Sequence, residues 1–347
     1  MSATPTTRPV LRWIKRILLA VTGLLVLVIV VGAIYEALGR RRAAREFPVP
    51  GRLVDIGGRR IQLDCRGTGS PIVVFEAGLD INGSLAWSRV HDSIATTTRA
   101  CAYSRSGIMW SDPHAGPQNA ATIAADLHNT LAKAGERPPF VLVGHSLGGP
   151  YVMTYTKHYG AEVAGLVFVD ASHPDQVQRF KAIVPQFGPA SSSMYKVAAA
   201  LSWTGLIRVA FPSSAGGSKE PPEAIRAMAA YAPTSLGSML KESDAIAETL
   251  AEAGSFRNLS DRPLVVLTAN APMPDEALKT LKMDRAKGDQ FQALWRTLHD
   301  EEASWSTRSR HELVPDATHY IQFDRPDVVI RAVRSVVGGV RATQPAR

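Results

Sequence analysis

The chain has 347 residues, 45% hydrophobic and 20% charged, which fits a globular body with its own core and excludes wholesale disorder or a repeat array. Its net charge of +8 is local: the first 46 residues hold eight basic side chains against Glu36 and Glu46, so the remainder is nearly neutral. That distribution argues against nucleic acid as a partner.

Residues 1–16 form a Thr/Pro-rich basic tail. Ile17 to Tyr35 is uncharged and dominated by Leu, Val and Ile, and as a helix it reaches about 28 Å, close to the thickness of a bilayer core. Residues 17–38 therefore read as a transmembrane anchor. A cleaved signal peptide is the alternative, but the run is longer than a signal core and no small-x-small site follows it. Four basic residues flank each side, so the positive-inside count is a tie. A short N-terminal tail that stays in the cytoplasm would leave the body extracytoplasmic, at the cell membrane. Residues 39–51 read as an Arg-rich linker ending at Pro48 and Pro50.

From Arg52 onward, short apolar runs alternate with helical patterns. Strands are expected at Leu53–Ile56 and Arg60–Cys65, around a Gly57-Gly58 turn, and then at Ile72–Phe75, Arg99–Tyr103, Phe140–Val143, Gly165–Val169, Pro263–Thr268 and Glu312–Val314. Helices are expected at Ala120–Ala134, Tyr151–Tyr159 and Pro326–Val337. The alternation predicts an α/β fold, a mainly parallel sheet with helices on both faces. Residues 171–261 interrupt it, with helical spacing at Tyr195–Ser202, Pro222–Tyr231 and Ser238–Ala253, and read as a helical cap between two core segments, 52–170 and 262–338. Gly216-Gly217 reads as a flexible turn, and residues 339–347 as a disordered tail.

The strongest chemical signal is Phe140-Val141-Leu142-Val143-Gly144-His145-Ser146-Leu147-Gly148-Gly149. An apolar strand runs into Gly-x-Ser-x-Gly and then a helix, the setting in which a tight turn lifts a serine hydroxyl clear of the sheet. Gly144 and Gly148 are small because side chains there would strike the neighbouring strand and helix. The Leu147 N–H, at the helix start, can donate to a developing oxyanion.

With this motif the chain resembles the α/β-hydrolase superfamily, in the branch that inserts a cap after the sixth strand, over residues 52–338. Val73-Val74-Phe75-Glu76-Ala77-Gly78-Leu79 corresponds to the family's oxyanion loop, and the match implies that Leu79 supplies the second oxyanion N–H. Ala77 stands where the family usually has His, and Glu76 is unusual there. Tyr103-Ser104-Arg105-Ser106-Gly107 to Asp112-Pro113 resembles a family turn, and implies that Arg105 and Asp112 brace loops near the site. His319, in Val314-Pro315-Asp316-Ala317-Thr318-His319-Tyr320, matches the family's catalytic base. His145 is read as a buttress of the elbow. The family's usual acid position after the seventh strand holds no carboxylate. Three acids stay open: Asp170, at the end of the sixth strand, ahead of Asp275, and then Asp175. In this fold the strands bearing Cys65 and Cys101 are antiparallel neighbours, so a disulfide between them is expected, in keeping with export.

The resemblance implies a serine hydrolase that cleaves carboxylic esters through an acyl-enzyme on Ser146. The apolar cap residues Met194, Leu201, Trp203, Leu206 and Phe211 suggest a small-molecule substrate with an apolar group. Amide or thioester substrates are the alternative on the same site. A catalytically silent binding protein, or a lipid-surface binder working through its basic flanks, are the alternatives of other classes. Epoxide hydrolase chemistry is disfavoured, because those relatives use Asp where this chain has Ser146. No metal-ligand spacing and no cofactor motif is present in the sequence.

Overall fold

The computed structural model describes residues 7–188, 193–210 and 219–343. Eight strands form one sheet: β1 (Arg52–Asp55), β2 (Arg60–Arg66), β3 (Ile72–Glu76), β4 (Ala100–Ser104), β5 (Phe140–His145), β6 (Val163–Val169), β7 (Leu264–Ala269) and β8 (Ser309–Val314). Their spatial order is β1-β2-β4-β3-β5-β6-β7-β8. The β1–β2 and β2–β4 pairs are antiparallel and every other pair is parallel.

Seven helices matter for the site: α1 (Thr7–Glu46), α2 (Ala120–Ala134), α3 (Gly148–Tyr159), α4 (Pro222–Asp244), α5 (Ile246–Gly254), α6 (Arg285–Ala303) and α7 (Pro326–Thr343). The two-residue period of the central strands divides the core. Val73, Phe75, Val141, Val143, Val167 and Val169 pack with Val329, Val333 and Val336 of α7 on one face. Val74, Leu142, Leu166, Phe168 and Val266 pack with Leu127 of α2 and Val152 of α3 on the other. Strands buried on both faces must be apolar throughout, which is why they read as unbroken runs.

Several boundaries differ from the sequence reading. Residues 7–16 of the supposed tail and 39–46 of the supposed linker are helical, since α1 runs unbroken from Thr7 to Glu46. The Arg40–Arg45 stretch is made of good helix formers, and pairs four residues apart, Arg40 with Glu36 and Arg42 with Glu46, support it. At the other end α7 continues through Gly338-Gly339 to Thr343, because Val340 keeps the three-four spacing and stays buried on the sheet. In the cap, α4 passes straight through Pro233 and ends at Asp244, so the expected break after Tyr231 falls instead at Ala245. The 19-residue α6 was not anticipated: its apolar content is low and its start is marked only by the Asp284 side chain, which accepts from the Lys287 N–H. Phe211, Gly216-Gly217 and the side chain of Met194 lie outside the described residues.

Cys65 and Cys101 stand opposite each other in the β2–β4 register and are joined by a disulfide.

Candidate active site

Ser146 follows β5 directly and sits at φ 52°, a left-handed backbone conformation that is strained for a residue with a Cβ. The turn is forced by close packing. A Cβ on Gly144 would lie 2.6 Å from the Gly148 carbonyl, and one on Gly148 would lie 2.6 Å from the Glu76 carbonyl. The Ser146 carbonyl accepts from Gly149 and Ser172, which pins the elbow to α3 and to the start of the cap.

His319 lies in the loop after β8. Its Nε2 is 2.9 Å from Ser146 Oγ, and its Nδ1 is 2.7 Å from Asp170 Oδ2. The imidazole is 44% exposed, so a substrate and water can reach it, whereas Asp170 is buried. Asp170 is held from three sides. Its Oδ1 accepts from the Ala269 N–H at 2.8 Å and from Trp295 Nε1 at 2.9 Å, and its own N–H donates to Leu267. Burial pushes this carboxyl up, but its hydrogen bond and attraction to His319, with Trp295, outweigh that and hold it below its ordinary value. It is therefore an anion at neutral pH. The other two acid candidates are placed elsewhere. Asp275 is exposed at a helix start and paired with Arg285, and Asp175 is paired with Arg257 at 2.6 Å.

His145 is fully buried. Its Nε2 donates to the His319 carbonyl at 2.9 Å, and its ring lies 4.7 Å from the His319 ring. Burial, and then the neighbouring His319, push its pKa down to about 3, so it stays neutral and acts as a prop.

The loop after β3 abuts the serine: a Cβ on Gly78 would lie 2.9 Å from Ser146 Cβ and 3.0 Å from His145 Nδ1. The next peptide, bearing the Leu79 N–H, thus adjoins Ser146, as does the Leu147 N–H at the head of α3. Arg105 holds this loop. Its guanidinium, 4% exposed, donates to Glu76 at 2.7 Å, to the Ala77 carbonyl at 2.8 Å, to the Gly78 carbonyl at 2.6 Å and to both carboxylate oxygens of Glu242 on α4 at 2.8 Å. Glu76, which had no role in the sequence reading, also accepts from the Tyr103 hydroxyl. The buried pair of Glu76 and Arg105 thus holds the loop in which Ala77 stands at the position of the family's usual His. Asp112 instead braces Arg60 at the surface.

Two cavities meet at the site. One of about 450 Å³ holds Ser146 and His319 and is walled by Met273, Phe291 and Trp295. A larger one, about 600 Å³, lies between Leu79–Asn82 and the cap residues Leu236, Met239, Leu240 and Ile246. Gln176 and Phe187 line both. The Ser146 hydroxyl opens into the smaller cavity. Leu201, Trp203 and Leu206, expected to face a substrate, face outward. The helix carrying Leu206 is one turn long, and among its described residues Ile207 is the one that reaches the cavity.

Trp295 and Glu242 were missed by sequence reasoning. Both sit on helices without a motif, and only their distance to Asp170 and Arg105 marks them. Among the described residues, His173, Asp175 and Glu301 approach within 4.8 Å of one another. Asp175 is paired with Arg257 and Glu301 with Arg179, and two guanidiniums beside the cluster disfavour a cation.

The model of the alpha/beta hydrolase family matches residues 27–332. Among curated proteins, a probable transporter, efuK, of Hormonema carpetanum is 33% identical over 143 residues, 39% of this chain and 20% of that one. The protein YbdG of Bacillus subtilis is 22% identical over 169 residues, 48% of this chain and 52% of that one. The chain therefore spans about half or less of the length of these relatives. Among solved structures, a thermophilic esterase of Thermogutta terrifontis superposes with a TM-score of 0.54 at 20% identity, covering 81% of this chain and 94% of that one. The epoxide hydrolase CorEH gives 0.57 at 15% identity, with 84% and 99% covered. At such identities the likeness is one of fold.

Proposed function

The chain belongs to the alpha/beta hydrolase family, and we propose that it is a membrane-anchored serine hydrolase that cleaves carboxylic esters through an acyl-enzyme on Ser146. The observation that carries this reading is the chain of contacts Ser146 Oγ–His319 Nε2–Asp170, at 2.9 and 2.7 Å.

In this reading the Ser146 hydroxyl attacks the ester carbonyl as His319 Nε2 takes its proton. Asp170 keeps the other imidazole nitrogen protonated and stabilises the imidazolium that forms. The N–H groups of Leu79 and Leu147 receive the negative oxygen, a contribution worth about 3 kcal/mol for each donor in comparable sites. His319 returns its proton to the leaving alcohol, and water then releases the acid by the same route. The apolar walls of both cavities favour apolar groups on the substrate.

Among the described residues, α1 is the one helix long and apolar enough to cross a membrane, and none of its apolar window is buried. Its apolar length supports the anchor, and the Cys65–Cys101 disulfide supports an extracytoplasmic body.

The test uses the full chain in detergent micelles, as wild type and as Ser146→Ala. Labelling by a fluorophosphonate and turnover of p-nitrophenyl butyrate are expected in the first and absent in the second. A folded wild type that neither labels nor turns over the ester would sink the proposal.

A further inference from the structure

The cap carries an apolar surface that turns away from the core. Val197, Leu201, Trp203, Leu206 and Val209 are between 39% and 73% exposed. This patch is continuous with α1. The Gly32 backbone touches the Thr204 carbonyl so closely that a Cβ would overlap it, and a Cβ on Gly205 would lie 2.9 Å from the Gly32 carbonyl. One turn further on, Glu36 of α1 is buried and paired with Arg208 of the cap at 2.8 and 3.1 Å. Arg208 also donates to the Ala230 carbonyl at 2.9 Å, which ties the contact to α4.

These contacts set the depth of the patch. From Ile17 to Gly32 the helix rises about 22 Å, short of the roughly 30 Å of a hydrocarbon core. A span that fills the core must extend past Gly32 to about Leu38, where the rise reaches about 32 Å. The intervening residues Ile34, Tyr35 and Leu38 are indeed exposed and apolar. Thr204, level with Gly32, then lies about 9 Å below the boundary, a depth typical of an interfacial amphipathic segment. Beyond Leu38 come the exposed Arg40, Arg41, Arg42 and Arg45, whose charges end the apolar span.

We propose that the cap surface formed by Val197 to Val209 is seated in the outer layer of the bilayer that α1 spans, and that the larger cavity receives acyl chains of ester substrates directly from the lipid. Ile207 forms part of that cavity's wall while its neighbours Leu206 and Val209 face outward, so the same short helix separates lipid from cavity. Leu79, which follows the Gly78 that abuts Ser146, also lines this cavity. The inference rests on the anchored-hydrolase reading above. It narrows the substrate to a long-chain ester that partitions into membranes.

The test reconstitutes the full chain into vesicles of phosphatidylcholine and phosphatidylglycerol at 3:1. The described residues hold no free cysteine, so a single added thiol can carry an environment-sensitive NBD label. Val209→Cys and Leu206→Cys are labelled separately, so that one poorly folded variant does not decide the matter. Lys133→Cys, exposed near the start of β5 at the opposite pole of the sheet from Ser146, is the control. Doxyl-lipid is expected to quench the cap probes by about half and leave the control unchanged. Vesicle flotation reports the anchor, and fluorophosphonate labelling reports Ser146. A chain that floats and labels while its cap probes stay unquenched overturns the seated surface and leaves the parent reading intact. So does a blue shift without quenching, which would mean that a second copy covers the patch. A chain that does not float overturns the anchor and this inference together. For lipid delivery, the ratio of turnover of vesicle-embedded p-nitrophenyl palmitate to that of soluble p-nitrophenyl butyrate is expected to fall about five-fold in the Leu206→Ser, Val209→Ser double variant. An equal loss on both esters overturns the delivery role.

Discussion

Replacing Arg105 by Met should cost far more stability than replacing its partner Glu242 by Gln, although each change touches the same contact. Arg105 is the single positive charge between two buried carboxylates, and it also satisfies the carbonyls of Ala77 and Gly78. Removing it strands all four acceptors. Breaking a buried pair costs about 3–5 kcal/mol, and each unsatisfied carbonyl costs about 1–3 kcal/mol more. The carboxylates recover part of this by taking up protons, since burial already pushes both Glu76 and Glu242 up. A net loss of about 5 kcal/mol is therefore expected, a large share of the total stability of a domain. In Glu242→Gln the guanidinium keeps Glu76, both carbonyls and one amide oxygen, so the loss should be about 1–2 kcal/mol. At about 2–4 °C per kcal/mol for proteins of this general size, melting should fall by about 10–20 °C in the first variant and about 2–8 °C in the second. Thermal unfolding followed by circular dichroism reads both. The ordering has a catalytic counterpart: Arg105→Lys cannot reach both carbonyls and both carboxylates, and should lower ester kcat/KM by about ten-fold or more through the oxyanion loop. Equal melting shifts for Arg105→Met and Glu242→Gln, or a shift under 2 °C for the former, would refute the view that one cation organises the loop and the cap.

Asp170→Asn should leave the fold intact and reduce kcat by about 10³–10⁴, because the amide presents the wrong hydrogen-bonding partner to His319. A loss under ten-fold in steady-state assays would point to another acid. Trp295→Phe removes one charge-assisted bond to Asp170 and should lower kcat/KM about ten-fold with little change in KM. Gly78→Ala places a methyl group against Ser146 and His145, so phosphonate labelling should slow by about 100-fold, and normal labelling would show that the loop can give way. Asp80 is buried with Oδ2 unpaired, and burial pushes its carboxyl up to about 7. A carboxyl raised in the folded state contributes stability that is fully present below the ordinary value of 3.8 and is lost as pH climbs through about 7. Asp80→Asn should therefore melt several degrees above wild type at pH 8 but not at pH 4, and a pH-independent difference would contradict the assignment.

Much of this arrangement is written locally. The two-residue and 3.6-residue periods, the length of the apolar run from Ile17 and the glycines around Ser146 each follow from the geometry of a few neighbouring residues. Those signals placed the strands of the sheet and the elbow to within a few residues. They could not choose among Asp170, Asp275 and Asp175. That choice depends on where β6 and β7 end side by side, and on Trp295 arriving from a helix more than a hundred residues later. Nor could they explain Glu76, which reads as an oddity until Arg105 and Glu242 are seen to close around it. The cap shows the same limit from the other direction. Leu201, Trp203 and Leu206 are apolar in the sequence whichever way they point, and burial on the core, in a cavity or toward a membrane leaves the same trace in composition. Only the tertiary structure, in which Gly32 of α1 meets Thr204 of the cap more than 170 positions away, leaves them exposed beside that helix. Hydrophobic pattern records that a side chain avoids water, but the packing of distant segments determines what it meets instead.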